Sequence, residues 1–251
     1  IGFGVWSLVY RQLISSTVSV ILLWYFSRWK VSLFFSKKSF KDLFGYGSKI
    51  LAAGIYAQVF QNIYNIVIGK FYSASSLGYF TQAKLLVNIT SGAVSSILQQ
   101  VTFPVLAALQ EDQERMISVY KRLIRMTAFL IFPSMTILAI LAEPLITLFL
   151  GEKWMPTVPL LQWFCFSRIL YPISDLNLNM LKANGRSDLF LKVDLSKAPL
   201  VIVALVITFP MGVKAMVIGQ VIVSFISFFF NAYMSGKLYR YGAFSQIRDV
   251  W

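Results

Sequence analysis

The chain has 251 residues, 57% of them hydrophobic and 13% charged, where soluble chains run roughly 45–50% apolar and about 25% charged. With a mean hydropathy of +0.69, this composition predicts an all-α polytopic membrane protein, dissolved mainly in lipid. Lys and Arg number 23 against 10 Asp and Glu, a net charge of +13. In so apolar a chain that excess belongs to cytoplasmic loops and their contact with membrane lipids, and no nucleic-acid partner is expected.

Absences narrow the chemistry further. With no histidine there is no imidazole base, no His metal ligand and no Ser-His-Asp triad. A single cysteine, Cys165, excludes an intramolecular disulfide and a Cys-rich metal site. Neither a P-loop nor a dinucleotide-type glycine pattern is found, so no cofactor and no metal are expected. The chain starts at Ile1 instead of Met, which reads as a fragment or truncated product, and no signal peptide is legible for the same reason.

A membrane helix needs about 20 mostly apolar residues. Charge-free runs and turn signals predict about seven helices, at 4–27, 48–71, 77–108, 118–150, 157–182, 188–209 and 213–236. The third and fourth exceed a membrane thickness and should tilt or protrude. Between the first and second lies a basic segment, 28–46, in which Lys37, Lys38 and Lys41 alternate with Trp29, Phe34, Phe40, Leu43 and Phe44. It reads as an interfacial helix on an anionic leaflet, or alternatively as a plain solvated basic linker. Breakers separate the later spans: Ser73 to Gly78, Gly151 to Pro159, Asn184-Gly185 and Pro210-Met211-Gly212. Trp24, Trp29, Tyr72, Tyr79, Trp154, Trp163, Tyr239 and Tyr241 fall near span ends, as an interfacial belt does. Seventeen of the 23 basic residues lie in 27–49, 107–126, 182–197 and 237–251, alternating with the weakly charged loops. That face is expected to be cytoplasmic, which puts the C-terminus inside.

Polar residues inside spans carry the functional information, because facing hydrocarbon costs several kcal/mol each, on the order of the insertion scales. In the second span Gln58, Gln61, Asn62 and Asn65 share one narrow face. In the third, Thr81, Lys84, Asn88, Ser91, Ser95, Gln99 and Thr102 form a stripe. In the fifth, Arg168, Tyr171, Asp175, Asn179 and Lys182 form another, and Arg11 adds a cation to the first. Such stripes either glue helices together or line a wet chamber. Arg168 and Asp175 are about 10 Å apart along a continuous helix, too far for a simple pair, and Pro172 between them is expected to bend it. The expected site is therefore a hydrated cavity between spans two, three and five, positive in tendency. It would be lined by Arg11, Gln58, Gln61, Asn62, Asn65, Lys84, Asn88, Arg168 and Asn179, with arginine suited to phosphate. Asp175, a carboxylate deep within a span, is the candidate for ion coupling, or else a packing salt bridge to Lys84 or Arg168.

Several short strings are familiar in combination. Gly2-Phe3-Gly4-Val5-Trp6-Ser7-Leu8-Val9 comes first, then Ser75-Ser76-Leu77-Gly78-Tyr79-Phe80-Thr81-Gln82-Ala83 and Phe103-Pro104-Val105-Leu106. After these come Ala142-Glu143-Pro144-Leu145-Ile146, Gly151-Glu152-Lys153-Trp154 and Pro159-Leu160-Leu161-Gln162. Asn177-Leu178-Asn179-Met180-Leu181 and Asn184-Gly185-Arg186-Ser187-Asp188 complete the set. In this order they resemble bacterial Wzx-type oligosaccharide and polysaccharide flippases, nearest to the WzxC-like branch of the multidrug/oligosaccharidyl-lipid/polysaccharide (MOP) exporters. The resemblance implies two pseudo-symmetric six-helix lobes. Residues 1–27 would be the last helix of the N-lobe, 28–47 a basic cytoplasmic linker, 48–236 the six-helix C-lobe and 237–251 a cytoplasmic tail.

It also implies the activity: moving an undecaprenyl-pyrophosphate-linked oligosaccharide across the membrane by alternating access, driven by H+ or Na+, for cell-surface polysaccharide synthesis. In the related lipid II flippases a cation site lies between the first and fifth C-lobe helices. Those helices here offer Asn62, Asn65, Asp188 and Asp194, with no acid at the deep position of the first. Two alternatives stand beside this reading. A drug/cation antiporter of the same superfamily should line its cavity with acids. A membrane polysaccharide polymerase or ligase tends to carry a long outer catalytic loop, and the longest outward loop here is 150–158.

Overall fold

The computed structural model describes residues 6–27, 37–109, 112–183, 187–239 and 241–250, and among these the regular elements are all helical. The chain divides into two compact units, Ile1–Tyr56 and Ala57–Trp251. The first holds α1 (Trp6–Ser27) and the start of α2 (Lys37–Phe71). The first half of the expected interfacial segment, 28–36, lies outside the described residues, and from Lys37 onward it is part of α2.

The second unit contains the rest of α2, then α3 (Ala74–Ala108), α4 (Gln113–Ile140), α5 (Ala142–Phe149), α6 (Thr157–Ile169), α7 (Tyr171–Ala183), α8 (Ser187–Ser196), α9 (Ala198–Thr208), α10 (Val213–Tyr239) and α11 (Ala243–Val250). Side-chain caps start two of them. The Ser73 hydroxyl accepts the Ser76 N–H at 3.1 Å, and Asp112 Oδ1 accepts that of Arg115 at 3.0 Å.

Prolines divide three of the expected spans. The 118–150 span ends at Leu141 before Pro144, the 157–182 span at Leu170 before Pro172, and the 188–209 span at Lys197 before Pro199. A proline supplies no N–H to the carbonyl four residues back, and its ring collides with that carbonyl. Pro133, by contrast, sits inside an unbroken α4. Among the described residues three stretches, Gln113–Ile140, Lys192–Met211 and Val213–Tyr239, are long and apolar enough to cross a membrane. α6 and α7, at 13 residues each, are too short to cross singly.

Helical periodicity decides which faces are covered. Along α4, Met116, Tyr120, Ile124, Ala128, Ile131 and Met135 are buried, whereas Met126, Phe129, Leu130 and Ile137 point outward. Outward apolar groups of this kind need no burial where the solvent is hydrocarbon. Two hydrophobic cores stack along the bundle. One joins Tyr64, Ile68, Phe80, Ile131, Met135, Leu161 and Phe164; the other joins Leu106, Met116, Tyr120, Ile124, Ile173, Leu176, Met180 and Phe228.

At one end of the bundle Phe71 and Tyr72 pack edge-on to Phe209 at 5.3 and 5.8 Å, and Tyr79 likewise meets Trp154 at 5.8 Å. The Tyr72 hydroxyl donates to the Phe209 carbonyl. Gly151 and Gly212 make the turns here at φ of 87° and 96°, a region that favours glycine.

At the other end the segment expected as a plain tail forms α11, which folds back onto α4 and α10. A buried amide pair fastens it. Gln246 Nε2 donates to Asn177 Oδ1 at 2.8 Å, and Asn177 Nδ2 donates to Gln246 Oε1 at 3.0 Å. The Tyr120 hydroxyl donates to the same Asn177 oxygen at 2.7 Å, and Gln246 Nε2 also reaches the Tyr241 carbonyl at 3.1 Å.

Candidate functional site: a polar chamber at a broken helix

On α2 the amides form a ladder. Asn62 Nδ2 donates to the Gln58 carbonyl at 3.0 Å and lies 3.4 Å from Gln58 Oε1, and Asn65 Nδ2 donates to Asn62 Oδ1 at 3.1 Å. These are the one-turn neighbours of an α-helix. Across from them α3 presents its own stripe. Two of its hydroxyls bond back to their own helix, Thr81 to Leu77 O at 2.8 Å and Ser91 to Val87 O at 2.9 Å, while those of Ser95 and Thr102 are buried with no partner among the described residues. Lys84 extends from α3 toward α2, its Nζ 3.5 Å from the Gln61 carbonyl.

The third wall comes from the joint between α6 and α7. Arg168 occupies the last turn of α6, where the carbonyl end of the helix favours a cation. Its own carbonyl, which Pro172 would block in a continued helix, accepts the Leu170 N–H instead. Tyr171 then opens α7, and the Arg168 guanidinium carbon lies 4.3 Å over the Tyr171 ring centroid, a cation–π contact.

Together these elements enclose a cavity of about 620 Å³ lined by Gln61, Asn62, Asn65, Thr81, Lys84, Leu85, Asn88, Arg168 and Tyr171. Two cations and no carboxylate stand in that lining, and Lys84 and Arg168 are near enough to repel one another. A second cavity of about 360 Å³ is lined by Asn88, Ser91, Gly92, Ser95, Ser96, Arg168, Tyr171 and Asp175. A third, of about 240 Å³, is lined by Tyr171, Ser174, Asp175, Leu178, Asp194, Lys197, Ser224, Ser227 and Asn231. In it Lys197 and Asp194 form an ion pair at 3.0 Å, and the buried Asn231 Oδ1 has no hydrogen-bond partner among the described residues.

Six of the nine residues expected to line the chamber, Gln61, Asn62, Asn65, Lys84, Asn88 and Arg168, thus meet in one cavity. Asp175 lines the two neighbouring ones. Gln58 is exposed at the end of the amide ladder, and Asn179 is buried within α7, lining none of the three. Arg11 is exposed on α1, in the first unit. The side chains of Gln99, Lys182 and Asp188 lie outside the described residues. Asp194 lines the third cavity while Asn62 and Asn65 line the first, so the pairing implied by the lipid II flippases is not gathered in one cavity. Tyr171, present in the fifth-span stripe but not nominated, lines all three. Its spacing of three residues from Arg168 and four from Asp175 was the signal. Among the described residues no group of three or more His, Cys, Asp or Glu could hold a metal ion.

Against this geometry the comparisons with known proteins are informative. The model of a family described as "Polysaccharide biosynthesis protein" matches residues 1–159. The chain belongs to this family. Its relatives include the teichuronic acid biosynthesis protein TuaB of Bacillus subtilis, 29% identical over 72% of this chain and 38% of that protein. The lipopolysaccharide biosynthesis protein WzxC of Escherichia coli is 26% identical over 86% of this chain and 44% of its own length. The succinoglycan biosynthesis transport protein ExoT of Rhizobium meliloti is 27% identical over 69% of this chain and 35% of its own. No solved structure matches. The chain therefore spans less than half the length of these relatives. The resemblance to Wzx-type exporters stands, and the chain is a membrane protein of a polysaccharide-biosynthesis family that includes a named transport protein.

Proposed function

We propose that this chain is part of a transporter that moves an undecaprenyl-pyrophosphate-linked oligosaccharide across the bacterial inner membrane by alternating access, driven by an H+ or Na+ gradient. The observation that carries this reading is the larger cavity, in which two cations and four amides converge without a carboxylate. Two cations at membrane depth are costly, by at least ~2.5 kcal/mol each on insertion scales, and an anionic ligand offsets that cost. Arg168 supplies a planar fork of donors for pyrophosphate and Lys84 a point charge. Gln61, Asn62, Asn65 and Asn88 offer donors and acceptors for sugar hydroxyls. Asp175, one turn beyond Tyr171, is the ion-coupling group.

In this arrangement 1–27 closes an N-lobe, 28–47 is a cytoplasmic linker, 48–236 is the C-lobe, and the C-terminus is cytoplasmic. Arg11 on the N-lobe helix and Asn179 on α7 are further substrate-binding residues in this reading. The test is flipping of a fluorescent pyrophosphate-linked glycolipid in proteoliposomes. Arg168→Gln and Lys84→Gln should each slow it roughly 10–100-fold, the scale of a lost charge-assisted contact, with unchanged membrane insertion. Asp175→Asn should abolish the response to an imposed gradient. Normal gradient-driven flipping by Asp175→Asn rejects the coupling role, and normal flipping by both cation variants rejects the cavity.

A further inference from the structure

Tyr171 sits where the polar cavities meet. It belongs to neither hydrophobic core, it is 41% exposed, and it lines all three polar cavities. The Pro172 break puts it at the head of α7, with the Arg168 guanidinium over its ring and the Asp175 carboxylate one turn further on. An aromatic face rimmed by amide, hydroxyl and carboxylate groups complements a ring that is apolar on one face and carries hydroxyls around its edge.

We propose that Tyr171 is the platform on which a sugar ring lies, directly beside the anionic group held by Arg168 and Lys84, so that the chamber recognises a glycosyl pyrophosphate as one unit. This deepens the transport reading above and rests on it. Arg168 links the two halves of the ligand. A bidentate charge-assisted contact to phosphate outweighs stacking on a phenol ring, so an arriving pyrophosphate draws the guanidinium off Tyr171 and bares its face. Asn88, which lines two of the three cavities that Tyr171 lines, is placed to meet the sugar's hydroxyls. Sugar binding at that face therefore follows anion binding, and a sugar without the anion finds it occupied by the guanidinium.

The experiment is equilibrium binding to the protein in lipid nanodiscs, with three probes: a short polyprenyl pyrophosphate, the same molecule carrying one hexose, and the free hexose. The wild-type protein should bind the hexosyl probe on the order of tenfold more tightly than the bare pyrophosphate, the scale of stacking on one aromatic ring, and the free hexose not measurably. Tyr171→Leu should bind both pyrophosphates alike, with affinity for the bare one kept or slightly raised. Tyr171→Phe should keep the preference, and Arg168→Gln should weaken both. A Tyr171→Leu protein that keeps the sugar preference, or loses bare pyrophosphate in step with the hexosyl probe, overturns the platform. Wild-type protein that binds the bare probe without gain from the sugar overturns the platform alone. Binding of neither pyrophosphate overturns the anion cavity as well.

Discussion

The amide pair that fastens α11 gives the sharpest quantitative test. Asn177, Gln246 and Tyr120 are all essentially buried, so their polar atoms depend on one another. Replacing Gln246 with Leu removes the bonds of 2.8, 3.0 and 3.1 Å that it shares with Asn177 and the Tyr241 carbonyl. One Asn177 N–H loses that partner, though Nδ2 still donates to Ile173 O at 3.0 Å, and the Tyr241 carbonyl loses its donor. At about 1–3 kcal/mol for each stranded buried group, the loss should be about 2–6 kcal/mol. Asn177→Leu strands more, since the Tyr120 hydroxyl and both ends of the Gln246 amide lose a partner, and it should cost at least as much. Replacing both together leaves two apolar groups in contact, so the double variant should be at least ~1 kcal/mol more stable than the sum of the singles predicts. Denaturant titration in detergent, followed by tryptophan fluorescence, measures all three. Strict additivity, with a coupling energy within ~0.5 kcal/mol of zero, would refute the idea that the pair acts as a unit.

Other expectations concern the same end of the bundle. A β-carbon built on Gly236 would lie 2.8 Å from the Gly242 Cα, backbone against backbone, with no side chain to swing aside. Gly236→Val should therefore lift α11, cost about 1–3 kcal/mol and open 243–250 to protease, whereas Gly92→Ala, with nothing within 4 Å, should not. The Tyr241 hydroxyl donates to Asp249 Oδ2 at 3.0 Å, and burial, reinforced by that carboxylate, pushes its pKa upward. Because the folded value lies above the ordinary value of about 10, this contribution is complete below about pH 10 and is lost as pH climbs beyond it. Protection of α11 from protease should be flat to about pH 10 and fall above it, and Tyr241→Phe should remove that Tyr241-dependent part of the fall.

Much of the site was legible in the sequence because a membrane turns polarity into position. Gln61, Asn62 and Asn65 on one helix, and Lys84 and Asn88 on the next, repeat at helical spacing in segments otherwise apolar. The solvent leaves such residues few places to go. Helix continuity was read less well. Charge-free runs suggested unbroken spans, and three prolines divided them at Leu141, Leu170 and Lys197. The bend at Pro172 was expected from its missing N–H, but the resulting exposure of Tyr171 depended on which side chains the two halves turned toward each other. The docking of α11 left only a faint trace, since Asn177 and Gln246 are 69 residues apart and their partnership arises from packing alone.

The break at Leu170 divides more than a helix. α6 contributes Leu161, Phe164 and Cys165 to one core, and α7 contributes Ile173, Leu176 and Met180 to the other. Meanwhile α4 runs unbroken through both as a single beam of 28 residues. The segment from Arg168 to Tyr171 is thus an elbow whose forearm and upper arm are bolted to different blocks. The guanidinium and the phenol sit on the elbow itself and the Asp175 carboxylate on the forearm, so their spacing is set by the angle at which α6 meets α7.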